Sequence, residues 1–135
     1  MKPVTLQVGV KVLLVNNDGQ FLFLKRNQAI YPGVNEWDIP GGRIANHEPL
    51  RNALAREVLE ETGLKLTGEP VLLNAQDIFP TSNSVHVVRL TYKAKASGTV
   101  QLSSEHIEYQ WLTLNNALKY NIDPYIRVVL TDLKI

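Results

Sequence analysis

The hydrophobic residues in the first third of the chain predict a hairpin. Residues 6–15 form a nearly continuous Val- and Leu-rich run, as expected of a buried strand. The sequence Asn-Asp-Gly at 17–19 then predicts a tight turn, and residues 20–25 are the expected return strand. Residues 27–35 contain a Pro-Gly pair and predict a loop.

The second half of the chain predicts three strands, one of them strongly β-branched, followed by two helices. Asp123 precedes a proline and is expected to cap the final helix. Since no repeat, low-complexity tract or linker interrupts the pattern, we expect one domain over residues 1–135, folded as an α/β sandwich. The elements predicted here are strands over residues 70–78, 84–96 and 107–114, and helices over residues 115–120 and 124–133.

A helix predicted to end at Thr62 carries three carboxylates in its last two turns. Glu57, Glu60 and Glu61 share an arc of roughly 100° on one face. They repel one another and lie at the negative end of the helix dipole. Gly63 is expected to end this helix as its C-cap. Mg²⁺ compensates such a cluster and keeps several waters that a phosphate replaces. The helix therefore predicts half of a metal-phosphate site.

The segment before this helix supplies the other half. Residues 37–42 read Trp-Asp-Ile-Pro-Gly-Gly, and Gly41 and Gly42 are expected to interrupt a strand while permitting a close backbone approach. Glu48 follows, with Pro49 after it in a position that suits the first turn of a helix. A carboxylate there is favoured by the positive end of the dipole.

Residues 42–64 resemble the signature of the Nudix hydrolases. All nine defining positions of this 23-residue pattern match, and the apolar run before it and the Trp-x-x-Pro-Gly-Gly lead-in agree. The resemblance implies an α/β/α sandwich with a mixed sheet and a Mg²⁺-dependent pyrophosphohydrolase. The matching residues are Gly42, Glu48, Arg56, Glu57, Val58, Glu60, Glu61, Gly63 and Leu64.

The same resemblance implies roles for the clustered carboxylates. Glu57 and Glu61 are the expected metal ligands, Glu60 is a further one, and the Gly41 carbonyl completes the shell. The ion is expected to be Mg²⁺, with Mn²⁺ as a substitute. One carboxylate takes the proton of the attacking water, and Glu57 is the candidate for this role.

Arg56 and Glu48 are expected to support the catalytic carboxylates. Arg56 has two interpretations, as a surface cation or as an internal partner that orients Glu48 or Glu57 through its bidentate fork. The resemblance favours the internal role. A solvated acidic face is the alternative for the glutamates themselves, and their helix-end position argues against it.

Candidate substrate contacts lie near the end of the second predicted strand. Lys25 and Arg26 are expected to reach phosphates, together with Gly42, although strand-end charges also limit edge pairing. Glu105 and Glu108, just before the last strand, are each either an added ligand or base or a plain surface charge. Three aromatic residues are candidates for stacking on a base or for the core: Tyr31, Trp37 and Phe79.

Composition narrows the class of protein. The chain has 135 residues, 44% of them hydrophobic and 20% charged, as is normal for a globular protein. Its net charge of +1 gives no reason to expect a nucleic-acid polymer or a membrane as partner. The absence of cysteine excludes disulfides, thiol catalysis and Cys-ligated zinc, and His47, His86 and His106 lack metal-ligand spacing. Without a long apolar run or leader-like N-terminus, we expect a cytoplasmic protein.

Three functions are compatible with the sequence. The favoured one is a MutT-like nucleoside triphosphatase that releases a nucleoside monophosphate and clears oxidised nucleotides. A second is cleavage of ADP-ribose or another nucleoside diphosphate derivative, for which Pro80 is slight support. A third is a Nudix-fold sensor that binds a nucleotide without hydrolysing it, although such proteins usually lose glutamates that are intact here. The substrate and oligomeric state are open.

Overall fold

One sheet of seven strands runs through the computed structural model, which describes residues 3–33, 35–80 and 84–133. Three helices accompany it in the described ranges. The strands are β1 (Thr5–Val15), β2 (Phe21–Arg26), β3 (Trp37–Asp38), β4 (Gly41–Arg43), β5 (Lys65–Ile78), β6 (Val85–Ser97) and β7 (His106–Leu112). The helices are α1 (Leu50–Thr62), α2 (Leu114–Ala117) and α3 (Pro124–Leu133).

The sheet is mixed, as expected. Its main order is β3-β2-β1-β6-β5, while β4 pairs with β1 and β7 pairs with β2. β1 and β6 are parallel along their whole shared length, from Thr5 opposite Val85 to Val15 opposite Lys95. The other strand pairs are antiparallel. The central strand β1 therefore connects both halves of the sheet.

Alternation of side chains along β1 gives the sheet a hydrophobic core on each face. Leu13 packs on the face covered by α2 and α3, whereas Val12 and Leu14 pack on the face covered by α1. Leu54 and Val58 of α1 are fully buried against that second face. The result is the α/β/α sandwich that the resemblance implied.

Several predicted boundaries differ from the structure. β5 begins at Lys65 and not at residue 70, because this edge strand accommodates glycine and proline in a region of shifted register between Thr67 and Val71. The last strand ends at Leu112 and not at residue 114, since the Thr113 side chain caps α2. That helix spans Leu114–Ala117, and not residues 115–120.

The expectation that the two glycines interrupt a strand was wrong. Gly41 and Gly42 belong to β4, which pairs with residues 9–11 of β1. Gly41 has a φ of 145°, and a Cβ there would lie 2.0 Å from the Val10 carbonyl oxygen. Glycine is therefore what allows β4 to approach β1, so these residues extend the sheet and also form the site.

The predicted ends of two helices are confirmed. The Asp123 carboxylate accepts hydrogen bonds from the main-chain N–H groups of Tyr125 and Ile126, at 2.9 and 3.1 Å, and so caps α3. Gly63 ends α1 in the left-handed conformation, with a φ of 73°. The start of α1 differs in detail, since Pro49 is its N-cap and makes no side-chain capping bond.

Within the described ranges, none of the helices has the length and apolar character needed to cross a membrane. The N-terminus that was predicted not to be a leader begins with Met1 and Lys2, and these two residues lie outside the described ranges. Val34 of the predicted loop also lies outside them.

Candidate metal and phosphate site

The site forms where β4 meets the last two turns of α1. A Cβ on Gly42 would lie 2.7 Å from the carboxylate atoms of Glu57, so glycine gives that carboxylate its place against the backbone. The neighbouring Gly41 N–H donates a hydrogen bond to Glu61 Oε1 at 2.8 Å. Gly42 therefore lies against the Glu57 carboxylate and Gly41 binds that of Glu61, and both carboxylates come from one face of α1.

Arg56 holds three carboxylates together. Its Nε and Nη2 donate to the two oxygens of Glu48 at 2.8 and 2.9 Å, in bidentate geometry. Its Nη1 donates to Glu57 at 2.9 Å and to Glu60 at 3.3 Å. The hydrogen bonds from Arg56 and from the Ala45 N–H lower the pKa of Glu48 to about 2. Arg56 therefore contacts the carboxylates that its predicted internal role requires, and that role stays a prediction.

Glu61 is the buried member of the group, with 6% of its surface exposed. Burial raises the pKa of Glu61 to about 7, although Lys11 and the Gly41 N–H act in the opposite direction. The charges of Glu57 and Asp38 raise it further. A buried carboxylate whose pKa is raised in this way is strongly stabilised in its charged form by a nearby cation.

A third element brings two more ligand atoms to Glu61. One oxygen of Glu61, one of Glu105 and a ring nitrogen of His106 all lie within 4.8 Å of one another. His106 is buried, its Nδ1 has no hydrogen-bond partner in the described part of the chain, and burial lowers its pKa to about 4. The ring is therefore neutral and able to bind a metal. Sequence spacing did not indicate His106, because Glu61 comes from a distant segment of the chain.

The donor set fits a hard divalent cation. We call Glu48, Arg56, Glu57, Glu60 and Glu61 the box cluster; it holds four carboxylates and one guanidinium. Within the described residues, these carboxylates form their ion pairs with the Arg56 guanidinium alone. Carboxylate oxygens with one imidazole suit Mg²⁺ or Mn²⁺, and a ring nitrogen of His106 lies within 4.8 Å of oxygens of Glu61 and Glu105.

A second group of charges was not predicted. Lys11 of β1 binds Asp38 at 2.8 Å, and Arg26 of β2 binds both Asp38 and Asp123. Arg89 of β6 completes this ion-pair network, 3.3 Å from Asp123. Burial alone would raise the pKa of Asp38, but Lys11 and Arg26 hold it well below its usual range. Because the members come from four strands and from the residue before α3, sequence spacing does not predict the network.

The predicted substrate cations both have carboxylate partners. Lys25 lies 4.0 Å from Glu108, and Arg26 belongs to the ion-pair network. Glu108 is therefore next to Lys25, whereas Glu105 is next to Glu61. Contact of Lys25 or Arg26 with a substrate stays a prediction.

The three candidate aromatic residues have different surroundings. Trp37 is buried and packs edge-on against Tyr120, with ring centroids 5.2 Å apart, so it belongs to the core. Phe79 is 68% exposed and stacks on His86. Burial raises the pKa of Tyr31, and the charge of Glu105 raises it further.

A cavity of about 240 Å³ opens beside β4. Lys11, Arg43 and Arg89 line it, together with Gly42 of β4. Its charged lining residues are therefore all cationic, while the box cluster is acidic. A polyanion bridged to a metal ion matches this pairing of charges.

Comparison with known proteins agrees with this geometry. The NUDIX domain model matches residues 5–133, and the chain belongs to the Nudix family. It is 27% identical over 128 residues to the nucleoside triphosphatase NudI of Escherichia coli, covering 87% of this chain and 89% of NudI. It is 29% identical over 119 residues to the CTP pyrophosphohydrolase of E. coli K12, covering 87% and 84% of the two chains.

Solved structures show the same fold. The MutT protein from Methanosarcina mazei Go1 superposes with a TM-score of 0.81 at 30% identity, covering 97% of this chain and 93% of that one. The MutT Nudix hydrolase from Burkholderia pseudomallei gives 0.81 at 29% identity, covering 94% and 97%. The predicted family and fold are confirmed, and the protein is a hydrolase acting on phosphoanhydride bonds.

Proposed function

We propose that this protein is a Mg²⁺-dependent pyrophosphohydrolase that converts a nucleoside triphosphate to a nucleoside monophosphate and pyrophosphate. The observation that carries the proposal is the excess of carboxylates in the box cluster beside a cavity lined by Lys11, Arg43 and Arg89. Two relatives named for nucleoside triphosphate hydrolysis support the substrate class.

The proposed metal ligands are the helix carboxylates and one loop residue. Glu57, Glu60 and Glu61 would hold Mg²⁺ with the Gly41 carbonyl, and Glu105 would add a carboxylate next to Glu61. When bound, the cation neutralises phosphate charge, polarises the phosphorus and lowers the pKa of the attacking water. Mn²⁺ is expected to substitute, because it accepts the same oxygen donors.

Glu57 is the proposed general base. Its Oε1 is paired with Arg56, whereas its Oε2 forms no ion pair within the described ranges. Oε2 can therefore take a proton from water. Arg56 and Glu48 position this carboxylate and do not touch the reacting atoms. Since the chain has no cysteine, a thiol intermediate is excluded and we expect direct attack by water.

The cavity lined by cationic residues is the proposed binding place of the part of the nucleotide nearest the box cluster. Arg43 has an exposed side chain on the strand that also carries Gly42, so it can reach phosphate oxygens. Gly42 brings the backbone close to the same place. Lys25 and Arg26 remain proposed contacts further along β2.

The test is hydrolysis of a panel of nucleotides in water enriched in heavy oxygen, with Mg²⁺ and with chelator. We expect Mg²⁺-dependent release of monophosphate and pyrophosphate, with the label in one product. Attack at the middle phosphorus puts the label in pyrophosphate, as for a MutT-like enzyme, and attack at the innermost phosphorus puts it in the monophosphate. The Glu61→Gln protein is the inactive control.

Other products would point to other functions. Nucleoside diphosphate with inorganic phosphate would contradict the proposal. Preferred cleavage of ADP-ribose would move the substrate to nucleoside diphosphate derivatives. Tight nucleotide binding without any hydrolysis would favour the sensor.

A further inference from the structure

The loop that precedes β7 is tied to the end of α1. The Gln101 N–H donates to the Thr62 carbonyl oxygen at 2.8 Å, and the Ser103 N–H donates to the Glu61 carbonyl oxygen at 3.4 Å. These two bonds join the loop to the last turn of the helix that carries the box carboxylates. The chain therefore passes Glu61 just before β7 begins at His106.

The same loop is also anchored to the segment after β2. The Asn27 N–H donates to the Glu105 carbonyl oxygen at 2.8 Å, and Asn27 Nδ2 donates to the Ser104 carbonyl oxygen at 3.1 Å. The His106 N–H donates to the Ser103 carbonyl oxygen at 3.3 Å. The side chains of Glu105 and His106 therefore start from a main chain that hydrogen bonds hold in place, as a preorganised ligand set requires.

His106 is a buried polar side chain without a satisfied nitrogen. The residue is 8% exposed, and its Nδ1 has no hydrogen-bond partner within the described residues. Such a group costs folding free energy, which a hydrophobic side chain of similar size would not. Buried polar atoms that lack a partner in the protein normally bind an ordered water molecule or an ion.

The two carboxylates beside the ring favour an ion over a water molecule. One oxygen of Glu61, one of Glu105 and a ring nitrogen of His106 lie within 4.8 Å of one another. Within the described ranges, neither carboxylate forms an ion pair. Lys11, whose charge acts on Glu61, is bound to Asp38 at 2.8 Å. Water would satisfy the nitrogen and leave this acidic charge unbalanced, whereas a divalent cation satisfies all three groups.

We propose that Glu61, Glu105 and His106 form a subsite for a first-row transition-metal dication, to which His106 supplies a nitrogen ligand. Imidazole binds Mn²⁺ and the heavier ions of that row more readily than Mg²⁺, which prefers oxygen ligands. Glu61 belongs to this subsite and to the box cluster, so the inference rests on the proposed function for the part that the cation plays in hydrolysis. It adds that one nitrogen makes the chain distinguish Mn²⁺ from Mg²⁺.

The first test detects the nitrogen ligand directly. Untagged protein is loaded with Mn²⁺ alone, and electron spin-echo envelope modulation reports nitrogen bound to the ion. The chain has three histidines, so variants assign the signal. The His47→Asn/His86→Gln double variant should keep the imidazole signal, and His106→Phe should lose it. Asparagine is chosen at position 47 because it tolerates the positive φ of 63° there.

Two results of this experiment would overturn the inference. One is a wild-type spectrum without an imidazole signal, and the other is a signal that persists in His106→Phe. If His106→Phe does not fold, the double variant still decides, because His106 is then the one histidine left in the protein.

The second test compares the affinities of two ions by calorimetry without nucleotide. His106→Phe should weaken Mn²⁺ binding by at least about 10-fold, since a direct ligand should matter no less than a residue that orients one. Its Mg²⁺ affinity should change little. His86→Phe, which replaces a histidine paired with Asp77, is the matched control and should bind both ions as wild type does. Equal losses for both ions in His106→Phe would overturn the inference, because His106 would then only shape the site.

The carboxylate of the subsite has its own matched pair of variants. Glu105→Gln should weaken Mn²⁺ binding, whereas Glu108→Gln, whose carboxylate lies 4.0 Å from Lys25, should match wild type. Unchanged Mn²⁺ affinity in Glu105→Gln would overturn the subsite. Urea unfolding with chelator checks that the variants fold, and His106→Phe should be at least as stable as wild type because it has no unpaired nitrogen.

The outcomes separate this inference from the proposed function. A wild-type protein that hydrolyses no nucleotide, yet shows the imidazole signal of His106 on Mn²⁺, refutes the enzyme proposal and supports the subsite. A protein that is active with Mg²⁺ and shows no imidazole signal on Mn²⁺ refutes the subsite alone.

Discussion

The box cluster and the ion-pair network are neighbouring groups of charges with opposite balances. The network has three cations for two carboxylates, carried by strands of the sheet and by Asp123 at the start of α3. The box cluster has four carboxylates for one guanidinium, with Glu105 close by. The two groups interact, since Lys11 and Asp38 both act on the pKa of Glu61.

The difference lies in whether the protein itself supplies the charges that balance its carboxylates. In the network each buried carboxylate has cationic partners, so the protein satisfies it without help. In the box cluster the guanidinium leaves acidic charge uncompensated, most clearly at buried Glu61, whose pKa is raised. An external cation is what the second arrangement requires, and the predictions below test that contrast.

The largest effect is expected from Glu61→Gln. Removing a metal ligand should lower kcat by more than about 100-fold, the upper range for residues that only orient ligands. The free energy of unfolding should not fall, because a buried, repelled charge is removed. Glu57→Gln should also be strongly impaired. Steady-state kinetics and urea unfolding measure both quantities, with Glu108→Gln as an active control; near-normal turnover in either box variant would refute the ligand assignments.

The next effect is on stability and comes from the network. Asp38→Ala leaves the half-buried Lys11 and Arg26 without their shared partner, and should cost about 3–5 kcal/mol of unfolding free energy. Asp77→Ala breaks an exposed pair with His86 and should cost roughly 0–1 kcal/mol. Urea unfolding of both variants checks this, and equal losses would contradict the structural role of the network.

Arg56→Ala should have a mixed effect, because Arg56 supports the box cluster without being part of the chemistry. Loss of its contacts with Glu48 and Glu57 should lower both Tm and kcat, with a smaller Tm loss than for Asp38→Ala. Arg56→Lys should recover only part of the rate, since an ammonium group cannot make the bidentate contact. A fall in kcat at unchanged Tm would place Arg56 in the chemistry.

The smallest effect is a pH dependence of stability from Glu48. Its pKa of about 2 lies below the ordinary value of 4.5, so its pairing with Arg56 stabilises the fold fully above about pH 4.5. That contribution should be lost as the pH falls towards 2. Urea unfolding across this window should show a shallower pH dependence for Glu48→Gln, and an unchanged slope would contradict the assignment.

The contiguous part of the site could be predicted from the sequence. Gly42, Glu57 and Glu61 are fixed by spacing along β4, the loop after it and one helix, so local geometry brings them together. The hairpin, the helix caps at Asp123 and Gly63, and the mixed sandwich follow from similarly local or family-level patterns.

The rest depends on strand register, which the sequence does not specify locally. Glu105 and His106 reach Glu61 only because β7 pairs with β2 with a shift at Lys25 and Arg26. The start of β5 was missed because an edge strand tolerates the glycine and proline that usually mark a loop. The expectation that Gly41 interrupts a strand failed because glycine at this position permits β4 to approach β1 closely.

The most direct test of the central claim is whether Mg²⁺ stabilises the fold through the box cluster. Urea unfolding free energy is measured with chelator and with saturating Mg²⁺, for wild type and for Glu61→Gln. A ligand present at 100 times its Kd adds about 2.7 kcal/mol, so wild type should gain stability of that order. Glu61→Gln should gain much less, while Glu108→Gln should match wild type. Equal gains in all three proteins, or none in wild type, would contradict the account.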